Sequence, residues 1–236
     1  MSNTKAAIVM LTWKRLESLP RSLETLSQQT NKDFTLYISN SNIPEMATVE
    51  SHITPFIDKL NIILMHDSND LYAFRRLFIA RELAMQGFEA ILFLDDDVII
   101  PTTYVEQALS HFEPESFKSA YAWQFTQHGQ NYYRRRFMVT NSSLRVDYCG
   151  TAVAMADAKL FLEDGLFLAP KEAYLIEDLW TCYYANHVLK WKLGYSPIEG
   201  VVIGGLDSVA LSKTVRSKEH NKAVFLRDLV SRGWKL

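Results

Sequence analysis

The sequence predicts an α/β fold with a mostly parallel central sheet flanked by helices. Two observations carry that expectation. Through the first hundred residues, short apolar runs alternate with segments whose apolar residues recur at helical spacing, the pattern of strand, helix, strand. Three of the apolar runs end in polar residues, at Thr12–Arg15, Ser39–Asn42 and Asp95–Asp97. On parallel sheets ligands collect at the carboxyl ends of the strands. That convergence is the first positional argument for a site.

The elements follow in order. "KAAIVMLTW" (5–13) reads as a buried strand. "RLESLPRSLETLSQQT" (15–30) places Leu16, Leu19, Leu23 and Leu26 on one helical face, with the helix proper starting near Pro20. "DFTLYISNSN" (33–42) is a second strand, "ATVESHITPFIDKL" a short, broken helix, and "NIILMHD" (61–67) a third strand. "LYAFRRLFIARELAMQG" (71–87) is an amphipathic helix closed by Gly87. "ILFLDDDVIIP" (91–101) is the fourth strand, bounded at Pro101. "TYVEQALSHF" (103–112) is helical, and "SAYAWQFT" and "RRRFMVT" are strands around "QHGQNYY". "RVDYCGTAVAMADAKLFL" gives a strand through Ala152–Met155 and then a helix. "AYLIEDLWTCYYANHVLKW" is a helix with an acidic start, and a basic tail leads to a last helix around Phe225, Leu226 and Leu229.

Bulk properties narrow the classes. A chain of 236 residues, 48% hydrophobic and 22% charged, has an ordinary globular composition with a sizeable core. No repeat or Gly/Ser-rich linker divides it, so a single domain over 1–236 is expected. A net charge of −2 gives no basic field for gripping nucleic acid. Cys149 and Cys182 match neither a disulfide framework nor a zinc spacing and read as free buried thiols. The apolar start is too short for a signal peptide, and no run reaches the roughly 18 residues of a membrane span. A soluble, cytoplasmic protein is expected, with peripheral membrane contact left open. G-x-G-x-x-G and GK[ST] are both missing from the sequence, which argues against a P-loop or dinucleotide site.

The triplet Asp95, Asp96 and Asp97 is the strongest chemical signal. Like charges crowded at the end of a buried strand raise one another's pKa unless something neutralises them. A hard divalent ion with oxygen ligands, Mn²⁺ or Mg²⁺, would do so.

Taken together, "LTWKRLESLPRSLETLSQQT", "DFTLYISNSN", "ILFLDDDVIIP" and "EDLWTCYYA" resemble the GT-A glycosyltransferases, in particular the family-2-like inverting enzymes that carry a DXD motif. The likeness runs from residue 6 to about 200. It implies a Rossmann-like N-terminal half, about 1–101, that holds the nucleotide. It also implies an acceptor-side half, about 102–236, with a C-terminal closing segment. By this resemblance Trp13 would stack on the nucleobase, with Thr12 and Arg15 beside it. Asn40, where the family usually has Asp, would read the base edge. Asp95 would hold the ribose or the metal's water shell, Asp97 would coordinate the metal, and Asp96 could share either task. His220 would be a further metal ligand from the tail. Asp178, or else Glu177, matches the catalytic base, and "CGTAVA" would wall the donor sugar and the acceptor. The implied activity is metal-dependent transfer of a sugar from a nucleotide-diphosphate donor, UDP first, to a hydroxyl of a carbohydrate acceptor with inversion.

Elementary chemistry supports these roles and leaves alternatives. A departing nucleoside diphosphate needs compensating positive charge, and inversion needs a base on the opposite face. Asp178 at a helix start fits a base, but also a simple helix cap. Arg75 and Arg76 suit phosphate, though a solvated helix face is the plainer reading. "YYRRRF" (132–137) is either an acceptor grip or an exposed hairpin, and His66, His111, His128 and His187 read as structural or exposed. A haloacid-dehalogenase-type phosphatase also ends a strand in D-x-D, but on the first strand of its core. A non-catalytic sugar-nucleotide or carbohydrate binder of the same fold is the remaining rival.

Overall fold

The computed structural model describes residues 4–69, 71–126, 136–204 and 220–236. Its centre is a seven-stranded sheet built from β1 (Ala6–Thr12), β2 (Phe34–Asn40), β3 (Ile62–His66), β4 (Ala90–Leu94), β6 (Ser116–Ser119), β10 (Val153–Asp157) and β11 (Lys192–Tyr195). The order is β11-β6-β10-β4-β1-β2-β3. Neighbours pair in parallel except where β10 runs antiparallel to both β4 and β6. The mostly parallel sheet expected from the alternation is therefore present.

The two faces of the sheet are separated by strand periodicity. Along β1, Ile8 and Met10 point to one face and Ala7 and Val9 to the other. The first face packs against α1 (Leu19–Ser27), α2 (Met46–Ile53) and α4 (Tyr104–Ser110) through Leu23, Leu26, Val49, Ile53, Tyr104 and Val105. The second packs against α3 (Arg75–Met85) and α5 (Glu177–Tyr183), with Leu77, Ile79, Leu83, Leu179 and Trp180 in that core. Each fully buried side chain of this size contributes about 1.5–3 kcal/mol. Strands covered on both faces read as continuous apolar runs, which is why the sequence shows them so clearly.

Helix limits follow local chemistry. Pro20 lies in the first turn of α1, where its missing N–H costs nothing. Gly87, at φ +81°, supplies the left-handed residue that ends α3.

Some expected elements are divided. The run 119–126 forms two strands: β6 ends at Ser119, and Ala122 begins β7 (Ala122–Phe125). The Ser119 hydroxyl bonds the carbonyls of Gly150 and Val153, and Gly150 N–H donates to Tyr121 O at 2.8 Å, so the chain turns out of the main sheet there. β7 then joins β8 (Arg136–Met138) and β9 (Tyr148–Cys149) in a small antiparallel sheet, order β8-β7-β9. After β10 the chain forms 3₁₀ turns at Ala158–Leu162, Asp164–Phe167 and Lys171–Leu175 in place of the α-helix expected there. α5 passes directly into a π turn at Tyr184–Val188. A last pair of short strands, β5 (Val98–Ile99) and β12 (Val202–Ile203), brings the end of the chain's core back over the acidic run. The chain closes with α6 (His220–Ser231), seated through Phe225, Leu226 and Leu229. Cys149 and Cys182 are buried and unbridged.

Candidate functional site

The strand order places the site. From β1 the chain goes outward through α1 to β2 and β3, then α3 carries it back across to β4 on the other side of β1. The carboxyl ends of β1 and β4 therefore flank the switch point where the strand order reverses, the place where ligands collect on open parallel sheets. Register brings Thr12 beside Asn40, and Val9 beside Phe93, so Thr12 to Arg15 and Asp95 to Asp97 leave the sheet together.

The acidic triplet is held at each residue by backbone bonds. Asp95 N–H donates to Ala152 O at 3.0 Å, the Ser22 hydroxyl to Asp96 O at 2.8 Å, and Gly204 N–H to Asp97 O at 2.7 Å. Asp96 and Asp97 are buried at 2% and 7% exposure. Their carboxylates face Arg15, which bonds Asp96 Oδ1 at 2.9 Å and also bonds Asp97 Oδ2. Asp95 faces the buried Arg76, with Nη2 to Oδ1 at 3.0 Å. Burial pushes the Asp96 carboxyl up to about 7, against the pull of Arg15 and with the help of its acidic neighbours. Two arginines thus offset charge of the triplet within the fold, a compensation absent from the sequence reading, which looks to a divalent ion.

Arg76 also corrects the picture of a solvated arginine face, because both Arg75 and Arg76 are buried. They part company from there. Arg75 turns to Asp67, with an ion pair of 2.8 Å and a hydrogen bond to Asp67 O at 2.9 Å, and burial lowers its pKa. Arg76 turns inward and joins three elements. Besides Asp95, it bonds the carbonyl of Thr151 at 3.0 Å and pairs with Glu177 at 3.4 Å. Burial works against the Arg76 charge, but Asp95 and Glu177 more than compensate and its pKa is raised.

Glu177 and Asp178 open α5 and point to different partners. Glu177 accepts from the Thr151 hydroxyl at 2.8 Å and sits against Arg76; burial pushes its pKa up, with Asp178 adding to the push. Asp178 meets Tyr148 and Lys222. Its Oδ2 accepts from the Tyr148 hydroxyl and from Lys222 Nζ at 3.0 Å, while Oδ1 accepts from Leu179 N–H at 2.8 Å. Burial opposes its charge, but Lys222, Tyr148 and the Leu179 amide prevail and hold this carboxyl below its ordinary value. The two adjacent acids therefore differ in chemistry. One is locked into an internal network and the other is an ionised group at its edge.

The residues expected on the nucleotide side differ in exposure. Trp13 is 40% exposed, unlike its neighbours in β1, with the Lys14 ammonium 4.1 Å from its ring centroid. Asn40 is fully buried, and its amide bonds His66 Nδ1 at 3.0 Å and Asn42 O at 3.1 Å. It shapes the turn after β2 from within. Asn42, not singled out in the sequence, fixes that turn to Trp13 O at 2.9 Å. The Thr12 hydroxyl, which bears on Asp96 without a well-aligned hydrogen bond, and the Ser39 hydroxyl are both buried polar oxygens at the mouth of the switch point. His220 opens α6, but its side chain lies outside the described residues, as do "QHGQNYY" and the tail from 205 to 219 with its expected closing role.

Solved structures of similar fold share this architecture. TarS 1–349 of S. aureus in complex with UDP-GlcNAc aligns at a TM-score of 0.63 and 12% identity, over 88% of this chain and 60% of that one. The mannosyltransferase PcManGT from Pyrobaculum calidifontis, in complex with GDP-Man and Mn²⁺, aligns at 0.60 and 10% identity, over 98% of this chain and 76% of that one. The fold is GT-A. GalNAc-T7 with UDP, GalNAc and Mn²⁺ aligns at 0.62 and 9% identity, over 82% and 42% of the two chains. The chain spans between 35% and 60% of the length of the TarS chains it matches. No protein-family model matches the sequence, and no curated protein matches it. The acidic run follows the fourth strand of the chain, not the first strand on which the haloacid-dehalogenase reading would place it.

A metal can be tested against this donor set. Among the described residues no three His, Cys, Asp or Glu side chains gather around one point. Mg²⁺-type ions bound to nucleotides commonly use one or two carboxylates, with phosphate and water completing the shell. The hard oxygen donors of Asp95 and Asp97 fit that arrangement, and a cation arriving with a diphosphate would compete with Arg15 and Arg76 for them. Ser22, Tyr148, Thr151 and Lys222 also contact the candidate residues, although the sequence assigns none of them an individual role.

Proposed function

We propose that the protein is a nucleotide-sugar glycosyltransferase that moves a sugar from a nucleoside-diphosphate donor to a hydroxyl of a carbohydrate acceptor, with inversion. The observation that carries this reading is the buried Arg76 bridge. It ties the acidic run at the donor side to Glu177, the direct neighbour of Asp178, within one switch-point crevice. A UDP donor is favoured, since UDP and UDP-GlcNAc occupy TarS and UDP occupies GalNAc-T7; GDP-Man in PcManGT keeps GDP in view. Residues 1–101 form the donor half and 102–236 the acceptor half of a single domain.

In this reading Trp13 stacks on the base, and Thr12 and the loop built by Asn40 and Asn42 frame it. Arg15 and Arg76 counter the charge of the acidic run until the diphosphate arrives. Asp97 and Asp95, with His220 from the tail, would hold Mn²⁺ or Mg²⁺, which when bound neutralises charge on the leaving diphosphate. Asp178 takes the proton of the acceptor hydroxyl as that oxygen attacks the anomeric carbon from the face opposite the departing diphosphate. Glu177, engaged by Arg76 and Thr151, positions the start of α5. No helix among the described residues is long and apolar enough to cross a membrane.

Calorimetric titration with UDP, GDP and dTDP, each with Mn²⁺ and again with EDTA, tests the donor half. Metal-dependent binding of one nucleotide, lost in Asp97→Ala, is the expected result. Equal affinity of the parent and Asp97→Ala, with and without Mn²⁺, would remove the metal assignment. No binding of any nucleotide would leave a carbohydrate-binding role.

A further inference from the structure

Asp178 carries more partners than a helix cap requires. Among the described residues its Oδ2 receives two donors, the Tyr148 hydroxyl from β9 and Lys222 Nζ from α6, while Oδ1 receives the Leu179 amide. A carboxylate offers about four lone-pair positions. Two on Oδ2 and one on Oδ1 are occupied by described residues, which leaves one position, on Oδ1. The side chain is 12% exposed, so Asp178 is not sealed from the crevice.

The supports of this arrangement are rigid. Lys222 stands in the first turn of α6, whose Phe225, Leu226 and Leu229 are buried in the main core. Trp234, just past that helix, is 2% exposed and donates its indole N–H to Asn186 at 3.3 Å, beyond the end of α5. Tyr148 is 3% exposed, and Lys222 Nζ lies 5.9 Å from its ring centroid. Two separate elements thus reach the same oxygen of one carboxylate, although neither is adjacent to it in sequence.

We infer that Tyr148 and Lys222 are positioning residues for the transfer step: they occupy Oδ2 of Asp178 and turn Oδ1 toward the acceptor hydroxyl. This rests on the glycosyltransferase reading and adds which oxygen accepts the proton and what aims it. The proton leaves the acceptor oxygen for Oδ1 as the new glycosidic bond forms, and the electron pair of the broken bond departs with the diphosphate. Removing either support lets the carboxylate rotate and take a solvent partner on the working oxygen. The cost falls on turnover and leaves donor binding intact.

The test measures kcat and donor KM for hydrolysis or transfer with UDP-, GDP- and dTDP-hexoses in the presence of Mn²⁺, for the parent, Lys222→Met, Lys222→Arg and Tyr148→Phe. Lys222→Met and Tyr148→Phe are expected to lower kcat about ten- to a hundredfold at a donor KM within about twofold. Lys222→Arg should recover most of the loss. In an Asp178→Asn background, Lys222→Met should add less than about threefold, because the residues act as a unit. Parent-like kcat in both single variants, with thermal midpoints showing them folded, overturns this inference and leaves the glycosyltransferase reading standing. A fall in kcat/KM carried by KM also overturns it, by moving Tyr148 and Lys222 to the donor. A parent protein that binds nucleotide but turns over no donor overturns the base assignment and this inference with it. If one variant fails to fold, the other still decides.

Discussion

Arg76→Met is the perturbation whose size can be worked out most directly. The Arg76 side chain is 8% exposed and its partner Glu177 4%, whereas Asp95 is 30% exposed. Methionine keeps much of the volume and removes the charge. Glu177 is then a buried carboxylate beside Asp178 with the Thr151 hydroxyl and the more distant Lys222 charge left to it. Its escape is to take up a proton, which at pH 7 costs a carboxyl of ordinary pKa about 3.7 kcal/mol and at pH 5 about 1 kcal/mol. That sets a ceiling on the electrostatic loss. The partly exposed Asp95 adds less than about 1 kcal/mol after screening, and the lost bond to Thr151 O about 1 kcal/mol. The expected destabilisation is therefore about 4 kcal/mol at pH 7 and roughly 2 kcal/mol at pH 5. The sign follows from linkage. Burial already raises the Glu177 pKa in the parent, and without Arg76 it rises further, so the folded variant binds the extra proton more firmly and relative stability returns as pH falls. Urea unfolding followed by tryptophan fluorescence at both pH values measures it. Adding Glu177→Gln should recover most of the loss at pH 7. A destabilisation that is equal at the two pH values, or no recovery in the double variant, would refute the view of Arg76 and Glu177 as a buried ion pair.

Three further substitutions probe the site. Asp178→Asn should reduce turnover by about a hundredfold or more with unchanged UDP affinity; near-parent turnover would send the base role to Glu177 or elsewhere. Trp13→Ala should weaken nucleotide binding by about tenfold or more, the worth of one base stacked on an aromatic ring. An unaltered dissociation constant in calorimetry would place the base somewhere else. A Cβ at Gly204 would lie 2.6 Å from the Asp97 carbonyl oxygen, a backbone atom that cannot step aside. Gly204→Ala is accordingly expected to cost about 1–3 kcal/mol and to loosen Mn²⁺-dependent nucleotide binding, and an unshifted unfolding midpoint would show that β12 does not need so close an approach.

The sequence by itself determined the mostly parallel sheet and pointed to the strand ends where the candidate residues gather. Strands such as "AAIVMLT" and "AILFL" are buried on both faces, so their apolar character is continuous and visible without a structure. Polar residues at the ends of such runs have few places to go, which is why Thr12, Trp13, Arg15 and the acidic triplet were legible as a cluster. The limits of that legibility are those of one-dimensional spacing. "RR" on a helix is indistinguishable in sequence from a solvated face. Only the packing of α3 against β4 and α5 buries Arg76 and obliges it to pair with Asp95 and Glu177. "ED" reads as a doublet of equal acids, yet a turn of about 100° between successive helix positions sends one toward Arg76 and the other toward Tyr148 and Lys222. Asn40 looks like an exposed strand end until the register with β1 and β3 encloses it. The tertiary structure decided these points because each depends on partners tens of residues away, and burial, which sets the strength of every charge in the site, is a property of the packed whole.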